Sequence, residues 1–191
     1  IQEGRYKYIP YQKLFRRTEY FHVEGYGKFE GYANRDSLKY QSVYGLDDAL
    51  TLYRGTIRRV GFSKAWNVFV QLGMTDDTYT IDNSETISYR DFTNLFLPYH
   101  PSDSVESKFR MNTGIEQDDI IWDKIIELDL FNPNKIVGLK NATPAQILER
   151  ILTDSWTLAE NDKDMIVMYH KFGYELNGEQ KQIDATMVCI G

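Results

Sequence analysis

The run MIVMYHKFGYEL-NG-EQKQIDATMVCI, residues 165–190, decides the fold. Two stretches with strand composition flank Asn177-Gly178, a pair that tolerates the positive φ both central residues of a type I′ turn require. The chain therefore closes on a long antiparallel hairpin, Met165–Leu176 against Glu179–Ile190.

Upstream, residues 61–160 change period. Phe62, Ala65, Trp66, Phe69, Val70 and Leu72 recur at helical spacing, with Gly73 as the stop. Tyr89, Phe92, Leu95 and Phe96 repeat the rhythm before Pro98, and Ile120, Ile121, Ile125 and Leu128 form a further helix. The clearest start is Thr143-Pro144-Ala145-Gln146: an N-cap threonine, proline at the first helical position and glutamine where a capping box places it. That helix should run to about Thr157.

The front of the chain is again β-like. Thr18–Glu24 and Lys28–Ala33 flank Gly25-Tyr26-Gly27 as a hairpin, and Leu50–Arg58 reads as another strand with Gly55 as a point of close approach. A short helix is expected over about Ser37–Tyr44, stopped by Gly45. Ile1–Arg17 reads as a linker, because a residue before proline, here Ile9, is pushed to extended geometry. Pairing the terminal hairpin with the early strands gives one sheet of about five strands, with the helices inserted inside its sequence. The expected fold class is α+β: a mixed, mainly antiparallel sheet with a largely helical insertion. The expected domains are 1–58 with 162–191, and an insertion over 59–161.

Composition narrows the function. Apolar content of 42% and charged content of 26% suit a globular protein of 191 residues. A net charge of −6 argues against nucleic acid and against an anionic membrane surface as partners. It does not exclude a small anionic ligand, which needs only local arginines. Cys189 is the only cysteine, so no intrachain disulfide forms, and a reducing, cytoplasmic setting is expected. It sits in an apolar strand end and reads as buried filler. No apolar run approaches the ~20 residues of a membrane helix.

Most routes to chemistry are absent. There is no P-loop pattern, and Gly25-Tyr26-Gly27 with Gly31 lies between strands instead of opening a helix toward a pyrophosphate. His22, His100 and His170 are far apart, without metal-ligand spacing. The acid pairs at 47–48, 76–77 and 118–119 suit helix starts and turns. Two clusters remain: Gly31-Tyr32-Ala33-Asn34-Arg35-Asp36-Ser37 after one strand, and Arg54-Gly55-Thr56-Ile57-Arg58-Arg59 at the end of another. Arginine's planar fork suits a carboxylate, and neighbouring hydroxyl and backbone groups can complete the pocket. On composition alone the plainer reading prevails, with Arg35 paired to Asp36 or capping a helix and Arg58 and Arg59 solvated.

The two clusters together change that reading. Asn34-Arg35-Asp36-Ser37-Leu38-Lys39-Tyr40, then Arg54-Gly55-Thr56-Ile57-Arg58 and Gly61-Phe62, closely resemble the C-terminal part of saccharopine dehydrogenases of the glutamate-forming type. Ala65-Trp66-Asn67, Leu72-Gly73, Asp164-Met165-Ile166-Val167 and His170-Lys171-Phe172-Gly173 fit as well. Ala33, Ile57 and Arg59 depart from the usual proline, leucine and aromatic residue. The resemblance implies a substrate domain with a helical insertion, lacking the Rossmann domain that binds NAD or NADP, so the chain reads as a fragment inactive by itself. It also implies that Arg35, Thr56, Ile57 and Arg58 bind the substrate, a polycarboxylate amino acid. Saccharopine, a secondary amine with three carboxylates, fits two arginines. Hydride would pass between nicotinamide and a C–N bond in lysine metabolism. No catalytic acid or base is assigned; His170 and Lys171 are the candidates to watch. Carboxynorspermidine and carboxyspermidine dehydrogenases, or a non-catalytic ligand-binding module, are the alternatives, and a homodimer is left open.

Overall fold

The computed structural model describes residues 1–191. In chain order the elements are α1 (Tyr11–Leu14), β1 (Glu19–Val23), β2 (Gly27–Ala33), α2 (Tyr40–Val43), β3 (Gly55–Arg59), α3 (Phe62–Leu72), α4 (Tyr89–Asn94), α5 (Val105–Thr113), α6 (Ile120–Glu127), α7 (Pro144–Trp156), β4 (Met165–Leu176) and β5 (Glu179–Ile190). They divide into two compact units. One comprises residues 1–9, 17–60 and 158–191, and the other residues 10–16 and 61–157. The α+β class, with antiparallel strands and a helical block, is the fold observed.

The first unit holds all five strands, but not in one sheet. β1-β2-β3 form one antiparallel sheet, and β4-β5 a separate two-stranded ribbon. This corrects the expected five-stranded sheet. The ribbon pairs along its whole length, from Met165 opposite Ile190 to Leu176 opposite Glu179, around Asn177 (φ 56°) and Gly178 (φ 81°). It meets the first sheet face to face: Tyr169 stacks on Phe21 at 4.9 Å. Alternating side chains look the same in a strand that pairs edge-on and in one that packs face-on, so the pattern did not separate the two.

Three further expectations are corrected in this unit. Residues 50–54 do not belong to β3. Leu50 and Leu52 carbonyls accept from Gly4 and Ile1, and the Thr51 hydroxyl accepts from the Glu3 amide. The segment is extended, yet its partner is the chain's own start, which is thereby tied down. α2 begins at Tyr40 and not near Ser37, because Asp36 instead closes a turn by accepting from the Leu38 amide at 3.1 Å. Cys189 is exposed, since β5 lies in a ribbon whose residues are solvent-accessible almost throughout.

The second unit is helical and follows its caps. Ser88 with Asp91 closes a capping box at α4, and Thr143 with Gln146 does so at α7, where Pro144 occupies the first turn. Asp119 caps α6, as acid pairs at helix starts should. α3 stops at Gly73, whose φ of 85° is the left-handed geometry that favours glycine. The core joins Phe69, Met74, Phe92, Phe109, Ile147 and Ile151, each at most 2% exposed. Two elements escaped the periodicity. α5 is capped by Ser104 and ended by Gly114, and α1 is a single turn whose neighbour Phe15 is buried. No helix is long and apolar enough to cross a membrane.

Candidate functional site

The β2–β3 ladder brings the two arginine clusters together. Ala33 pairs with Gly55, Tyr32 with Thr56, Gly31 with Ile57 and Glu30 with Arg58. Beyond the last pair the connection continues: the Asn34 amide donates to the Arg54 carbonyl at 2.8 Å. The side chains add a second tie, Thr56 Oγ1 donating to Asn34 Oδ1 at 2.7 Å in partly buried surroundings. Gly55 permits this closeness. A Cβ there would stand 2.8 Å from the Tyr32 carbonyl oxygen and 3.0 Å from the Tyr53 ring, so the close approach expected at Gly55 is present.

Strand alternation sorts the candidates by face. Phe21, Phe29 and Arg59 are register partners on one face of the three strands, and Phe21 is the residue against which Tyr169 stacks. Ile57 shares that face by alternation. A ligand on the other face would meet Ile57 only through its backbone, whose carbonyl already accepts from Arg58 Nη1 at 3.1 Å. Thr56 and Arg58 occupy this other face, across from Tyr32 and Glu30. Glu30 is 2% exposed, so Arg58 is the member of that cross-strand pair that reaches solvent.

The four arginines divide in the same way. Arg54 lies over the Tyr40 ring at 3.4 Å, which fixes the end of the 34–40 loop. Arg59 donates to the Tyr26 carbonyl at 2.7 Å and covers the Phe29 ring at 4.5 Å. Both hold the fold. Arg35 is exposed at the mouth of the loop. It is not paired with Asp36, whose Oδ1 accepts from the Leu38 amide. The plainer reading of Arg35 as paired with Asp36 thus does not hold, whereas Arg58 and Arg59 are exposed as that reading had them. Counted along the strand at ~3.3 Å per residue, Arg35 stands about 16 Å from the residue opposite Arg58, a span that two long side chains shorten.

Burial, and secondarily the Glu19 charge, push the Tyr53 hydroxyl up to about 12, so it stays protonated at neutral pH. His170, in β4, stacks on Phe172 at 5.9 Å, and with Lys171 it lies on the exposed ribbon. No group of three or more His, Cys, Asp or Glu side chains is placed to hold a metal. The glycine turn at 25–27 joins β1 to β2, so its amides open no helix. These residues do not fit a dinucleotide.

The motifs contain Asn34 and Tyr40 without giving either a part, and Tyr53 was not singled out. Only Asn34 had a signal, an amide at the strand end beside the first arginine.

Comparison with known proteins bears on the same region. All of residues 1–191 match the saccharopine dehydrogenase C-terminal domain family. The chain is 28% identical to saccharopine dehydrogenase [NADP(+), L-glutamate-forming] of Saccharomyces cerevisiae, over 100% of its own length and 44% of that protein's. It is 32% identical to the mitochondrial alpha-aminoadipic semialdehyde synthase of Rattus norvegicus, over 75% of its length and 16% of that protein's. The fold superposes on the apo, histidine-tagged L-Glu-forming saccharopine dehydrogenase from Saccharomyces cerevisiae. The TM-score is 0.81 at 24% identity, covering 100% of this chain and 44% of that one. The chain therefore spans less than half the length of these relatives, and by its full-length match it belongs to the saccharopine dehydrogenase C-terminal domain family.

Proposed function

We propose that this chain is the substrate-gripping part of an NADP-dependent saccharopine dehydrogenase. Its partner in catalysis is a nucleotide-binding domain, and the reaction is reversible hydride exchange at the C–N bond of saccharopine. The observation that carries the reading is the double tie through Asn34, to the Arg54 carbonyl and to the Thr56 hydroxyl. It fixes the two clusters side by side while Arg35 and Arg58 stay exposed. Arg54 lies over the Tyr40 ring, while Arg58 donates to the Ile57 carbonyl and Arg59 to the Tyr26 carbonyl. Two guanidinium groups along one strand pair suit a ligand with carboxylates toward both ends. The names of the relatives support saccharopine, glutamate and NADP(+) as the chemistry. These residues supply binding and charge neutralisation; the hydride passes between the substrate carbon and the nicotinamide, which other residues would hold.

The test is steady-state kinetics of the full-length protein with saccharopine and NADP⁺. Arg35→Ala and Arg58→Ala each remove a charge-assisted contact of about 1.5–3 kcal/mol, so each should raise KM roughly 10- to 150-fold. Unchanged kinetics in both variants would refute the site. In the reverse direction, 2-aminoadipate semialdehyde with glutamate should be reduced in preference to a polyamine-derived aldehyde. The opposite preference would move the reading to the carboxypolyamine enzymes.

A further inference from the structure

The tip of the β4–β5 ribbon differs chemically from the rest of the chain. Asn177-Gly178 is the one place where an asparagine precedes a glycine; every other asparagine is followed by a residue with a side chain. Both residues are exposed, and both hold positive φ, 56° and 81°. The ladder ends just before them, at Leu176 opposite Glu179. The Gly178 amide donates to no acceptor, and the Asn177 carboxamide makes no hydrogen bond. A Cβ built on Gly178 would meet nothing within 4 Å, so the space around that amide is open. Asparagines elsewhere are engaged: the Asn34 carboxamide oxygen accepts from Thr56, and that of Asn132 from the Asn134 amide.

We propose that Asn177 is a self-modification site, an asparagine that closes to a succinimide and opens to isoaspartate. The Gly178 amide nitrogen, having lost its proton, attacks Asn177 Cγ. A bond forms between that nitrogen and Cγ, the Cγ–Nδ2 bond breaks, and ammonia leaves carrying the proton. Water then opens the five-membered ring at one of its two carbonyls. Opening at Cγ gives aspartate in an ordinary backbone. Opening at the main-chain carbonyl gives isoaspartate, whose backbone runs through the side chain and whose α-carboxylate is free. Water is the only reagent consumed. Glycine permits the approach because it has no Cβ and the widest backbone freedom. Ring closure takes Asn177 out of its turn, so the step proceeds from states in which the ribbon's end has frayed, and a terminal pair frays at little free-energy cost. Either product adds a carboxylate beside Glu175 and Glu179, where Lys181 is the nearby cation. Isoaspartate also lengthens the turn by one backbone atom, loosening the Leu176–Glu179 and Glu175–Gln180 pairs. None of this depends on the saccharopine reading.

Incubating the full-length protein at mildly alkaline pH tests the site, read by peptide mapping and by labelling with an isoaspartyl carboxyl methyltransferase and S-adenosylmethionine. The peptide holding Asn177 should exchange ammonia for water about tenfold faster than any other asparagine peptide, with the methyl label confined to it. The rate should rise with hydroxide, because the attacking amide must first lose its proton. Asn177→Gly keeps a turn that Gly-Gly also adopts, and it should abolish the label. The guanidinium-unfolded protein, in which nothing restrains Asn177, supplies the upper rate. A folded protein whose Asn177 reacts no faster than its other asparagines, while the unfolded chain reacts there readily, would mean that the turn locks the residue, and it would overturn the proposal. A label that persists in Asn177→Gly would overturn it as well.

Discussion

Gly55→Ala probes the join on which the site depends. The new Cβ would stand 2.8 Å from the Tyr32 carbonyl oxygen, whereas an ordinary contact is ~3.4 Å or more. The obstacle is backbone on the partner strand, so rotamer adjustment gives no relief, and the Tyr53 ring blocks a second direction at 3.0 Å. The ladder must open by about half an ångström at its end. The connections at risk are the Ala33–Gly55 pair and the amide bond from Asn34 to Arg54. With each hydrogen bond contributing net ~1 kcal/mol and over-packing strain of similar size, the loss should be about 1–3 kcal/mol. The site should suffer more than the fold, because the same opening slackens Asn34 against Thr56. Urea denaturation should show a lowered midpoint, amide exchange at Asn34 should speed up, and the KM for saccharopine of the full-length protein should rise several-fold. A variant with unchanged midpoint, unchanged exchange at Asn34 and wild-type KM would refute the idea that close packing at Gly55 holds the clusters in register.

The helical unit makes simpler predictions. Thr143→Ala removes the side chain that accepts from the Gln146 amide at 3.2 Å, and should cost ~1 kcal/mol, seen as a lower urea midpoint and faster exchange in the first turn of α7. The Asp91 carboxyl is held below its ordinary value of 3.8 by hydrogen bonds from the Ser88 hydroxyl and then its amide. A depressed folded value means that the cap contributes fully above the unfolded pKa and is lost as pH falls through the folded one. The melting temperature of the wild-type protein should therefore exceed that of Asp91→Asn at neutral pH and converge with it as the pH falls below the ordinary carboxylate range. A gap of constant size across that range would contradict the assignment.

What the sequence disclosed followed from local physics. Asn177-Gly178 announces its turn, Thr143-Pro144-Ala145-Gln146 its helix, and Gly73 its stop, because each depends on residues within a few positions. Gly55 was legible for the same reason. Partner choice was not local. Leu50–Leu52 is extended, but it bonds to residues 1–4 and not to β2, and no alternation in 50–54 could name that partner. The ribbon's independence from the three-stranded sheet, and with it the exposure of Cys189, depends on whether Tyr169 stacks on a face or its strand joins an edge. At the site, the motifs marked the right chain segments and the resemblance singled out arginines among them. They did not reveal that Ile57 faces away from Thr56 and Arg58. Nor did they reveal that Asn34 links the clusters, since the Thr56–Asn34 bond spans 22 positions.

The central claim is that Arg35 and Arg58 grip one ligand. A crystal structure of the full-length protein with saccharopine bound measures it directly. Each guanidinium should lie ~2.7–2.9 Å from an oxygen of a different carboxylate. Saccharopine held by other residues, with either arginine pointing into solvent, would contradict the account.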